Sequence, residues 1–159
     1  MNPTHLHLLI THLPIIGSIL GAIVLAYGLW TKTYQTKIAA YILLIISSAG
    51  AVIAYLTGED AEETVENIQG IQDTIVEQHE DFALIALIAL IALGVSSIIG
   101  LILAYKRSSI SRGFAWLTFF IAIISFGLVA RTGYLGGQIR HTEINSSVTI
   151  PEIQRNDED

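Results

Sequence analysis

The chain has 159 residues, 52% of them hydrophobic and 14% charged, with a formal net charge of −6. Soluble globular domains carry about 25% charged residues, so this composition argues against a soluble domain. High apolar content argues against a disordered chain, and the acidic balance against a nucleic-acid binder.

The charges leave four long gaps. No Asp, Glu, Lys or Arg occurs in residues 1–31, 38–58, 82–105 or 113–130, runs of 31, 21, 24 and 18 residues. A helix rises about 1.5 Å per residue and the hydrocarbon core is about 30 Å thick, so roughly 20 apolar residues cross once. The fold class expected is therefore an all-α, integral membrane four-helix bundle, with spans near 9–30, 38–57, 82–105 and 113–132. Barrel strands would alternate apolar and polar residues, and these runs do not. The first run has no Lys or Arg before it and is too long for a cleavable signal peptide, so it is read as a span.

Span one begins near His12 and Pro14. With Thr11 as cap, Pro14 falls in the first helical turn, where its missing N–H costs nothing. With an earlier start it would kink the helix. The turn at 31–37 carries Lys32 and Lys37, and the turn at 106–112 carries Lys106, Arg107 and Arg112, together five of the eight basic residues. All 14 acids lie in 58–81 or the C-terminal tail. The positive-inside rule places both basic turns in the cytoplasm and both termini outside, in a bacterial inner membrane.

The segment 59–81 places Ala61, Val65 and Ile68 on one helical stripe. It is read as an outer amphipathic helix, a turn at Gly70, and an N-terminal extension of span three. Small residues four apart (Gly17 and Gly21, Ser96 and Gly100, Gly133 and Gly137) let helices approach closely, within the bundle or across a homodimer face. Gly133, Gly136 and Gly137 mark either the end of span four or a close backbone approach to a flat ligand. The acidic tail from 143 to 159 is expected to be flexible.

All five histidines (His5, His7, His12, His79 and His141) fall on the outer side. His5 and His7 are expected to be solvated at headgroup level. His12 and His79 stand at the outer ends of spans one and three. Each half of the chain reads His, span, basic turn, span, Thr-Gly, running from His12 to Thr57-Gly58 and from His79 to Thr132-Gly133. The echo suggests two hairpins as parallel repeats with His12 and His79 equivalent. Two imidazoles facing across a bundle suit haem b. With Glu62, Glu80 or His141 they suit a divalent transition metal. Arg131 and Arg140 bracket the glycines and are expected to pair with outer acids, haem propionates or lipid phosphates.

The stretches His12-Leu-Pro-Ile, Thr57-Gly-Glu-Asp-Ala-Glu-Glu, His79-Glu80 and Gly133-Tyr-Leu-Gly-Gly resemble a family of uncharacterised four-helix bacterial membrane proteins, a domain of unknown function. Its members have a His-Phe-Pro-Ile-like opening and a Gly-His-Leu-Gly-Gly-like end to the last span. Leu13 stands here in place of the Phe and Tyr134 in place of the His. The resemblance covers most of residues 5–140. Some relatives are fused to cytochrome c-like domains, which implies redox work. This chain has no Cys, so covalent haem attachment through Cys-x-x-Cys-His is excluded.

The leading expectation is haem b or transition-metal binding at the outer face, for electron transfer or support of a respiratory assembly. The alternative is a cofactor-free accessory subunit, docked to a homodimer or membrane-complex partner through its small-residue faces. Transport is weaker, because residues 82–105 and 113–130 carry no charge and Ser47, Ser48, Thr118 and Ser125 are only modest candidates for an intramembrane path. No serine elbow or phosphate loop points to hydrolysis.

Overall fold

The computed structural model describes residue 7 and residues 9–66 and 73–140. Four helices follow one another: α1 (His12–Trp30), α2 (Tyr34–Glu66), α3 (Asp73–Tyr105) and α4 (Ser111–Arg140). No strand occurs among the described residues. Each helix contains a stretch long and apolar enough to cross a membrane. The chain is accordingly a multi-pass membrane protein in contact with the lipid bilayer.

The helices form a ring. α1 packs on α2 and α4, and α3 packs on α2 and α4, while the diagonal pairs scarcely touch. Contacts between α1 and α2 run antiparallel, from Gly17 against Ser47 to Gly28 against Lys37. Those between α3 and α4 do the same, from Ser96 against Thr118 to His79 against Thr132.

The two basic turns are built alike. Lys32 and Arg107 adopt left-handed φ values of 56° and 49°. At each turn the next N–H reaches back five residues to a carbonyl, Thr33 to Gly28 at 3.1 Å and Ser108 to Leu103 at 3.1 Å. This is a Schellman-type stop, which satisfies carbonyls that the last helical turn leaves open.

At the other end, helicity outruns hydrophobicity. α2 passes Gly58 without a break and continues to Glu66, giving it 33 residues, or about 50 Å at the standard rise. α3 starts at Asp73, ahead of the charge-free run that begins at Phe82, and also has 33 residues. The ends of segment 59–81 therefore prolong the two spans. Gly70 and the tail from 141 lie outside the described residues. α4 likewise continues through Gly133, Gly136 and Gly137 to Arg140.

Bulk is distributed toward lipid. The core holds Ala22, Ala40, Ala51, Ala86, Ala104, Ala115 and Ala122 with a few leucines. Ile88, Ile98, Ile124 and Phe120 are exposed. The small interior brings helices close. A Cβ added at Gly21 would lie 2.5 Å from Leu44 Cδ2, and one at Gly17 would lie 2.9 Å from Ser47 Cβ. The Gly17–Gly21 pair thus packs on α2 within this chain.

Hydroxyls bridge the helices. Ser47 Oγ donates to Pro14 O at 3.2 Å, and Ser125 Oγ to Ala89 O at 3.1 Å. Ser96 and Thr118 hydroxyls meet at 2.7 Å. Pro14 sits in the first turn of α1, but Thr11 makes no side-chain cap there: it is itself in the right-handed helical region, and its N–H donates to His7 O at 2.9 Å. Ser47, Thr118 and Ser125, the polar candidates for a transport path, serve here as ties between helices; Ser48 donates within its own helix to Leu44 O.

Candidate functional site

His79 is half-buried near the start of α3, and its Nδ1 lies 3.0 Å from Thr132 O on α4. A carbonyl can only accept, so Nδ1 carries the proton. In the neutral ring the lone pair then resides on Nε2, the nitrogen left for a ligand or acceptor role. The ring leans on Gly136, where an added Cβ would lie 3.1 Å from His79 Cε1. The glycine stretch of α4 does permit a close approach, and the flat group that uses it is the imidazole of His79.

His7 repeats this arrangement. It is half-buried, with Nδ1 2.8 Å from Ala54 O on α2 and 3.4 Å from Thr57 Oγ1. Gly58 lies under its ring, with a Cβ there 3.4 Å from His7 Cε1. In both hairpins, therefore, a histidine donates to a carbonyl of the second helix and rests on the glycine four residues further along. The pairs are Ala54 with Gly58 and Thr132 with Gly136. The two rings come from different hairpins, and His7 lies within electrostatic reach of His79.

This geometry differs from the sequence expectation that His7 is merely solvated. The signal that would have found it is a separation of 78 residues between α2 and α4. At that separation Ser47 matches Ser125, Ala54 matches Thr132 and Gly58 matches Gly136. The Thr-Gly echo at 57–58 and 132–133 is offset by 75 and misses it.

The other expected site residues are placed as follows. His12 opens α1 and is exposed. Glu80 follows His79 and is exposed. Glu62 lies on the extension of α2 and Arg140 ends α4, but their side chains, like all of His141, lie outside the described residues. Arg131 packs its guanidinium over Phe82 at 5.6 Å and over Tyr134 at 5.5 Å. Cation–π contact thus holds it across α3 and α4. Tyr134 supplies one of those ring faces. Among the described residues, no three His, Asp or Glu side chains converge on a metal position.

No protein-family model matches the chain, and neither a curated protein nor a solved structure matches it.

Proposed function

We propose that the chain binds haem b, or a divalent transition metal, between His7 and His79 at the extracytoplasmic end of its bundle, in support of electron transfer in a bacterial cytoplasmic membrane. The observation that carries this reading is the pair of imidazoles, one per hairpin, each with Nδ1 committed to a backbone carbonyl. Fixing Nδ1–H orients the ring, sets the tautomer and raises the basicity of Nε2, as is usual for metal-bound histidine. His7 and His79 would be the residues to hold the haem iron; a metal ion would require donors beyond these two. A metal would need Glu62, Glu80 or His141 as further donors. Haem, when bound, supplies one-electron chemistry; the chain supplies the ring orientation.

The hairpins are read as parallel repeats about an axis normal to the membrane. The matched histidine contacts, the matched Ser47 and Ser125 bonds and the matched turns support that reading. Its register differs from the one expected, because His7 takes the place of His12. The five basic residues at the turns support a cytoplasmic location for that end, with both termini outside.

Protein purified in detergent from cells supplied with haem tests the reading. The expected result is a Soret band that disappears in His7→Ala and in His79→Ala and survives in His12→Ala. Absence of a Soret band together with absence of stoichiometric iron, copper, zinc or manganese would refute both forms. The second reading, a cofactor-free accessory subunit, is favoured by the fact that each imidazole already ties two helices together. It predicts loss of thermal stability without spectral change in the same variants.

A further inference from the structure

At the end opposite the histidines, an open groove of about 510 Å³ lies between the start of α2 and the α3–α4 turn. Its walls include Lys37, Arg107 and Arg112 and the hydroxyl residues Tyr34, Ser109 and Ser111, with no Asp or Glu. Three cations thus converge from three parts of the chain. The Lys37 stem is packed against Gly28, where a Cβ would stand 3.0 Å from Lys37 Cγ. Arg107 lies over the Tyr34 ring at 5.6 Å from its centroid, and Tyr34 meets Tyr105 edge-on at 6.3 Å. Ser111 starts α4 and is only 7% exposed. No acid occupies the first turn of α4, so the positive end of that helix adds to the same field.

Like charges gathered without a carboxylate repel one another, and a shared anion relieves the repulsion. The volume falls within the roughly 300–1,000 Å³ of small-ligand sites. The level of the groove indicates the source of the anion. Trp30 (81% exposed), Tyr105 (62%) and Trp116 (44%) surround this end of the bundle. Exposed Trp and Tyr mark the headgroup layer of a bilayer, where lipid phosphates lie. We propose that the groove binds the phosphate headgroup of an anionic lipid, with Arg107 and Arg112 gripping the phosphate and Lys37 adding a point charge.

The test uses the full chain in neutral detergent, titrated with phosphatidylglycerol or phosphatidylcholine and read by native mass spectrometry. One phosphatidylglycerol should bind at least about tenfold tighter than phosphatidylcholine, and each lost cation should weaken it about fivefold. Arg107→Gln/Arg112→Gln should therefore abolish the preference. Lys32→Gln/Lys106→Gln removes the same charge from the same end, but from residues that do not line the groove, and should keep it. Lys37→Gln alone gives a second, milder in-groove variant should the double variant fail to fold, and should lower the preference about fivefold. Equal losses in the two double variants, or an unchanged preference in Lys37→Gln, would overturn the proposal. So would binding of inorganic phosphate that competes with phosphatidylglycerol at equal concentration, since that would make free phosphate the ligand.

Discussion

Gly100→Ala tests how closely α2 and α3 approach. A Cβ at this position would lie 2.5 Å from both Cε1 and Cζ of Tyr41 and 2.8 Å from its hydroxyl. Carbon atoms prefer about 3.5–4.0 Å, so the ring or the helix must move by about 1 Å. Tyr41 is fully buried, and a rigid ring cannot swing aside as a flexible side-chain tip would. Overpacking costs about 1–3 kcal/mol, and the rigid obstruction puts this case near 3. Replacing Gly by Ala in a helix returns up to about 1 kcal/mol, leaving a net loss of about 2. Gly127→Ala is the matched control: it is also helical, exposed, and among the described residues no atom outside its own stretch of helix backbone lies within 4 Å of its added Cβ. It should keep the full gain of about 1 kcal/mol. At about 2–4 °C per kcal/mol for a chain of this size, the midpoint should fall by about 4–8 °C for Gly100→Ala and rise by about 2–4 °C for Gly127→Ala. Intrinsic tryptophan fluorescence during heating in one detergent measures both. A Gly100→Ala protein as stable as Gly127→Ala would show that the Tyr41 ring is not seated on Gly100.

Tyr41→Phe should be neutral or stabilising by about 1 kcal/mol, because the buried Tyr41 hydroxyl has no hydrogen-bond partner among the described residues and removing an unsatisfied group relieves its desolvation cost; a clear loss of midpoint would point to an internal partner for that hydroxyl. Gly136→Ala should disturb His79 more than Gly58→Ala disturbs His7, since the added carbons stand 3.1 and 3.4 Å from the respective rings. The check is whether the Soret or metal signal falls only in the first variant. Ser125→Ala should cost about 0.6 kcal/mol, the usual worth of a hydroxyl tie in a membrane bundle, by removing its bond to Ala89 O; a cost several times larger in denaturant titration would contradict that role. Because the chain has no native cysteine, Ser109→Cys and Gln78→Cys can be labelled singly in sealed cells with an impermeant maleimide. Labelling only at 78 supports the assigned orientation, and labelling only at 109 reverses it.

The four helices were legible as charge-free runs, because a charge at the bilayer centre costs about 2.5–3.5 kcal/mol on insertion scales and the chain avoids it. Their ends on the histidine side were not. Hydropathy reports where lipid stops, whereas a helix stops where capping or backbone geometry stops it. Residues 59–66 include four Glu, a good helix former, and no proline, so α2 continues past Gly58. The ends at the basic turns were easier, because Lys32 and Arg107 interrupt both the apolar pattern and the helical backbone. His79 was visible from its place at the head of an apolar run. His7 was not, because its partners are a carbonyl and a glycine, which leave almost no mark on sequence. The register that links them is further masked because positions 78 residues apart differ in kind, as Leu44 on α2 and Ala122 on α4 do.

The small interior and bulky exterior reverse the usual map of tolerance to substitution. In a water-soluble protein the large buried residues resist change and the surface drifts. Here Ile88, Ile98 and Ile124 face outward, where any apolar side chain meets lipid equally well, so those positions are interchangeable among hydrophobes. Intolerance concentrates instead at residues with little or no side chain. Gly17, Gly21 and Gly94 are each within 3 Å of a neighbouring helix once a single carbon is added. A saturation mutagenesis profile of this chain should therefore show its strictest positions at glycine, alanine and serine, and its most permissive at isoleucine.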